Sequence, residues 1–136
     1  MTVTVQAQCG CGRVKFRSDA EPVLQAVCHC ADCRNATGND YSETVFFAAK
    51  ATEVAGELRA NRYFAASGAQ TVREFCSVCG TPMFDKSDGF PQLIGVFAQT
   101  ISEPFRFVPD CHMWTKGKLA HVQISDDLRT YEEGIS

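Results

Sequence analysis

The sequence holds no apolar run long enough to cross a bilayer, which argues against a helical membrane protein. It has no basic surplus either. The formal net charge is -3 and the pI about 5.5, so neither nucleic acid nor an anionic membrane is an expected partner. The first residues, MTVTVQAQCGCGR, alternate in character and lack the charged-then-apolar pattern of an export signal. A cytoplasmic, reducing setting is therefore expected. No internal repeat stands out beyond the cysteine pairs, and no linker divides the chain. Its 136 residues read as one domain, 1–136, with a loose polar tail from about residue 126. A chain of that length can bury a real core, so smallness alone does not call for staples.

What the chain does have is cysteine: eight of them. In a reducing compartment they read as metal ligands or reactive thiols before disulfides. Around them the pattern is of short strands and turns. Thr2 to Gln8 and Arg13 to Ser18 alternate with period two and flank CGCG, a hairpin tip. VLQAV leads into a cysteine triad, and Cys30 to Thr37 reads as a short helical turn stopped near Gly38. Further strands are expected at Glu43 to Ala49, Leu58 to Ala66, Thr71 to Phe75, TPMFD, Gln92 to Ala98 and Leu119 to Ile124, with a turn at Ser67-Gly68. The fold class that follows is mainly β.

Two cysteine pairs sit in glycine-bearing turns: Cys9 and Cys11 in CGCG, Cys76 and Cys79 in CSVCG. Glycine allows the positive φ that aims backbone N–H groups at thiolates. Two such pairs make a tetrahedral four-thiolate zinc site with Zn–S of about 2.3 Å. This site is structural, tying the N-terminal strands onto the middle of the sheet. The competing reading is unligated buried thiols, but those scatter as small hydrophobes and do not come as turn-borne pairs.

Cys28, Cys30 and Cys33 remain, in CHCADC. CxCxxC places three sulfurs close enough to face one ion. Three protein ligands leave a fourth position for water or substrate, the arrangement of catalytic zinc. Three thiolates give the site a net charge of about -1, which suits an exogenous thiol better than a strong hydroxide. Three other readings stand beside an open zinc: a fourth protein ligand closing the site, a redox pair, or a metal-free triad. Candidates for the fourth ligand are His29, Cys111 and His112. His29 lies between two ligands and is expected to point away, and the other two are expected in a loop after Asp110.

CGCGRVKF, CHCADCRNATG and FCSVCGTPMF together resemble the glutathione-dependent formaldehyde-activating enzyme family. The resemblance runs from about Val3 to about Tyr131 and includes the order and spacing of seven cysteines. It implies a β-tent-like zinc-binding fold of small antiparallel sheets stapled by the four-cysteine site. It implies two zincs as well: a structural one on Cys9, Cys11, Cys76 and Cys79, and an open or labile one on Cys28, Cys30 and Cys33. The reaction implied joins formaldehyde to glutathione as S-hydroxymethylglutathione, the reverse of a carbon–sulfur lyase step. The chain departs from the family pattern at AQT (Ala98 to Thr100) and at His121, which stands where a tryptophan is expected.

The expected chemistry is thus that of a zinc-dependent carbon–sulfur lyase with a small thiol such as glutathione as partner. Cys28, Cys30 and Cys33 are its catalytic residues. Arg34 is the candidate to grip a substrate carboxylate, and a surface arginine is the plainer reading of it. His112 and Asp110 are the candidate proton donors. Two alternatives are a non-catalytic zinc module and a thiol redox sensor built on Cys30 and Cys33. The first would present Phe46, Phe47, Phe64, Phe97 and Trp114 on its surface, whereas strand spacing favours a core role for them.

Overall fold

The computed structural model describes residues 4–65 and 68–134. The chain is mainly β, as the alternating patterns require. The strands β1 (Val5–Gln8), β2 (Lys15–Ser18) and β5 (Thr52–Ala55) form a three-stranded antiparallel sheet in the order β1-β2-β5. β1 and β2 turn Val5, Ala7 and Phe16 inward and their polar neighbours outward. The CGCG turn between them closes with the Gly12 N–H on the Cys9 carbonyl at 3.0 Å.

The remaining strands make a second sheet. They are β3 (Leu24–Cys28), β4 (Ser42–Ala48), β6 (Leu58–Phe64), β7 (Gln70–Cys76), β8 (Pro82–Ser87), β9 (Leu93–Phe97), β10 (Cys111–Met113) and β11 (Arg129–Thr130). Their order is β11-β10-β3-β4-β9-β8-β7-β6. Pairing is antiparallel except at β10, which lies parallel to both β3 and β11. The expected loop at Cys111 and His112 is therefore a strand, held on β3 by the Cys111–Ala26 and His112–Val27 register.

Two other expectations are corrected. Leu119 to Ile124 is not a strand: the Lys118 ammonium takes the Leu119 and Val122 carbonyls at 3.1 and 2.6 Å, and the segment turns. The tail is not loose. β11 pairs with β10, and the N–H groups of Tyr131, Thr115 and Trp114 bond to the carbonyls of His112, Tyr131 and Glu133 at 2.9–3.0 Å. Residues 1–3, 66 and 67, on which parts of two expected strands and the Ser67-Gly68 turn fall, lie outside the described residues.

The period-two pleat gives the large sheet two different faces. Val45, Phe47, Phe84, Ile94 and Val96 face the small sheet and pack with Val5, Ala7 and Phe16 in the main core. The intervening residues face the other way. Here the cross-strand row Leu24–Phe46–Gly95–Asp85–Arg73 spans five strands. The helix α1 (Ala31–Thr37) lies over this second face, with buried Cys33 beside Arg73. Phe46 and Phe47, adjacent in sequence, are both buried but on opposite sides. Phe97 is buried as well, while Phe64 is 75% exposed and departs from the expected core role.

Candidate metal centres and the cavity beside them

The sulfurs of Cys9, Cys11, Cys76 and Cys79 all lie within 4.8 Å of one another. Cys11 is 3.6 Å from Cys9 and 3.7 Å from Cys76. A tetrahedron with Zn–S of about 2.3 Å has edges of about 3.8 Å, whereas a disulfide needs about 2.0 Å. The spacing fits a shared ion. Backbone N–H groups reinforce it: Val14 donates to Cys9, and Val78 and Cys79 to Cys76, at 3.2–3.4 Å. Gly12 and Gly80 carry the positive φ, +80° and +77°, that these turns require. The Thr81 hydroxyl meets the Cys79 sulfur at 3.1 Å and holds that thiol down at about 5. It also accepts the Gly10 N–H at 3.0 Å, joining the two turns.

Cys28, Cys30 and Cys33 form the second group, again within 4.8 Å. Cys28 ends β3, Cys30 is the N-cap of α1, and Cys33 lies in the first turn. A thiol takes the capping place usually held by an oxygen side chain, its sulfur accepting the Cys33 N–H at 3.2 Å. Cys28 donates to Cys30 at 3.4 Å. Hydrogen bonds from Cys28 and then Cys33 hold the Cys30 thiol down at about 3, while Cys28 is pushed far up. These bonds favour the thiolate at Cys30 over its two neighbours. Among the described residues, no His, Asp, Glu or further Cys joins it.

Arg73 supplies the positive charge. Its Nη2 donates to the Cys33 sulfur at 3.3 Å and its Nη1 to the Asp32 carbonyl at 3.0 Å. Asp85, its register partner on β8, stands 3.9 Å away, and the guanidinium lies 5.5 Å from the Tyr63 ring centre. Burial lifts the Asp85 carboxyl to about 6 against the pull of Arg73. The Cys28 and Cys33 end of the sheet opens on a cavity of about 470 Å³, walled by Leu24, Phe46, Phe90, Leu93, Met113 and Trp114. Thr44, Thr71, Ser87 and Asp85 add its polar groups. Asp85 Oδ1 is buried without a hydrogen-bond partner.

With this geometry in place, comparison with known proteins is informative. The family model of the glutathione-dependent formaldehyde-activating enzyme matches residues 4–117. The chain belongs to this family. No curated protein matches it. A crystal structure of a Rhodobacter sphaeroides protein superposes with a TM-score of 0.55 at 20% identity, over 74% of this chain and 90% of that one. At that identity the likeness is one of fold.

The cysteines of this formaldehyde-activating family member gather as their spacing suggests, into a four and a three. The other expected site residues are placed elsewhere. Arg34 is not at the cavity: its Nη1 donates to the His29 carbonyl at 2.7 Å and to the Gly117 carbonyl, pinning α1 to the segment after β10. His112 is buried against His29, Nδ1 to Nε2 at 2.9 Å, with the rings stacked 5.1 Å apart. Burial, then His112 and Lys118, push His29 down to about 4. His29 points away from the triad as expected, and neither histidine nor Cys111 completes it. Asp110 accepts the Gln25 N–H at 2.7 Å. His121 is exposed and bonds Asp40 at 2.7 Å. Ala98 to Thr100 is a single 3-10 turn. Arg73 and Asp85 had no place in the sequence reading. Their signal was a charged residue in the inward phase of each of two neighbouring strands.

Proposed function

We propose that this chain makes and breaks the carbon–sulfur bond between a small thiol, such as glutathione, and an aldehyde such as formaldehyde. The observation that carries the reading is a three-sulfur group, two of whose cysteines line a cavity, with no fourth side-chain donor among the described residues. Cys28, Cys30 and Cys33 would hold zinc there, and Cys9, Cys11, Cys76 and Cys79 a second, structural zinc. Bound to the triad, zinc supplies an open position that lowers the pKa of an incoming thiol.

The chain's own residues do the rest. The cavity holds thiol and aldehyde side by side, turning a bimolecular encounter into a positioned one. Sulfur bonds to the carbonyl carbon, the C=O π bond opens, and the thiol's proton ends on the oxygen; no oxidant or reductant is consumed. Asp85 is the proton carrier we assign in place of His112 and Asp110, since it lines the cavity and its Oδ1 has no hydrogen-bond partner. Arg73 offsets the charge of the thiolates. Membership of the family supports an enzymatic role, and eight unpaired cysteines suit a reducing compartment, for which we propose the cytoplasm.

The test is to titrate glutathione into the cobalt-substituted protein. The sulfur-to-cobalt absorption is expected to change in the wild type and not in Cys33→Ser. A wild-type spectrum unchanged by glutathione and by uncharged small thiols alike would sink the reading. A thiol redox sensor on Cys30 and Cys33 is the second reading, favoured by the gathering of the triad's sulfurs within 4.8 Å of one another. It predicts reversible thiol loss under mild oxidant together with release of metal.

A further inference from the structure

Building on that thiol-adduct reading, we propose that the preferred thiol carries a compact apolar body, aryl or branched alkyl, and no carboxylate. The cavity next to Cys28 and Cys33 is walled mainly by hydrocarbon. Phe46 and Phe90 meet edge to face at 5.5 Å, and Leu93, Met113 and Trp114 extend the same surface. Such a wall is stabilised by excluding water with another apolar group, and an aromatic ring matches its edges and faces. Gly95 lies in the Phe46–Asp85 row, where a Cβ would stand 3.1 Å from the Phe46 ring and 3.0 Å from the Asp85 carbonyl. Its missing side chain lets the Phe46 ring lie down on the sheet.

Charge points the same way. Asp85 is the one charged side chain among the described residues that line the cavity. No lysine or arginine among the described residues lines the cavity with it. Arg73 is spent on Cys33, the Asp32 carbonyl, Asp85 and the Tyr63 ring. Arg34 is spent on two backbone carbonyls. Lys116 pairs with Glu133 at 2.7 Å, lies 5.3 Å from the Trp114 ring centre and is not among the residues lining the cavity. A carboxylate-rich thiol entering here would lose water without gaining a cation, and would approach the like charge of Asp85. An uncharged thiol meets neither cost.

The cobalt-loaded full chain separates the possibilities. Benzyl mercaptan, 2-mercaptoethanol and glutathione are titrated in turn, following the sulfur-to-cobalt absorption and the fluorescence of Trp114, the sole tryptophan. Benzyl mercaptan is expected to bind at least about tenfold tighter than either of the others. Phe90→Arg, at a position 38% exposed on the rim, is expected to close that gap by weakening benzyl mercaptan and favouring glutathione. Glutathione binding as tightly as benzyl mercaptan in the wild type overturns the proposal and leaves the open-site reading standing. So does benzyl mercaptan binding no tighter than 2-mercaptoethanol. If none of the three changes the cobalt spectrum, the open-site reading fails and this proposal with it.

Discussion

Arg73 is only 4% exposed, yet it is a full cation whose two terminal nitrogens both find acceptors. It touches the Cys33 sulfur, a helix carbonyl, a carboxylate and a ring, and so ties β7, β8 and α1 together at one point. Removing it would leave Asp85 buried without a cation and the triad without compensation. Arg73→Met is expected to lose about 3 kcal/mol of stability in chemical denaturation, with Arg73→Lys recovering part of it. The variant is also expected to lose metal from the triad more readily than from the other four cysteines. Asp85 makes a pH prediction. Burial raises its carboxyl from 3.8 to about 6 in the folded chain, with Arg73 opposing. A raised carboxyl means the folded state keeps a proton that the unfolded state has released. Its contribution to stability is therefore present at low pH and is lost as pH rises through about 6. Asp85→Asn has no such loss. Its stability relative to the wild type is expected to rise on the order of 1 kcal/mol between about pH 5 and about pH 7.5.

Among the elements, α1 and the C-terminal strands bear most on the site. α1 has only seven residues, too short to hold itself in water, so its ends do the work. Cys30 caps one end, and Gly38, with φ of +72°, stops the other through an N–H bond to the Arg34 carbonyl at 2.9 Å. CxCxxC and the glycine made this helix legible in the sequence, because both ends are set by local chemistry. β10 and β11 were not legible. Three residues and two residues are too short to show a period, and what holds them is the pairing of β10 with β3, more than eighty positions away for Cys111 and Ala26, and of β11 with β10. Leu119 to Ile124 erred in the other direction: it has the alternation of a strand but no strand to pair with, and Lys118 occupies its carbonyls. The tail also closes one side of the cavity, Trp114 bonding to Glu133 and facing Gly134. Deleting residues 129–136 is expected to expose Trp114, seen as a red shift of its emission, and to weaken thiol binding at the triad. An unshifted spectrum would show that the tail does not shape that wall.

At the scale of the whole molecule, the four-cysteine group stands where a shared ion would clasp two sheets together. It joins the β1–β2 turn to the β7–β8 turn, across sixty-five positions between Cys11 and Cys76. A tie of that span removes much freedom from the unfolded chain, and metal bound only by the folded state adds its binding free energy to folding. Protein purified without chelator is expected to hold about two zinc ions per chain. A strong chelator, or Cys76→Ser, is expected to lower the thermal midpoint far more than Cys33→Ser does. Equal losses would mean that the triad is a structural staple too. The sequence by itself determined the mainly β character, the partition of seven cysteines into four and three, and the short helix that Cys30 begins. Each of these is written in residues close together, where spacing and turn chemistry act directly. Only the tertiary structure decided what surrounds the triad. Register across β3, β4, β9, β8 and β7 puts Leu24, Phe46, Gly95, Asp85 and Arg73 in one row. It sends Arg34 and His112 to structural partners and leaves an apolar wall beside the sulfurs. A one-residue slip in any of those pairings would turn the row to the other face, so no local pattern could have announced it.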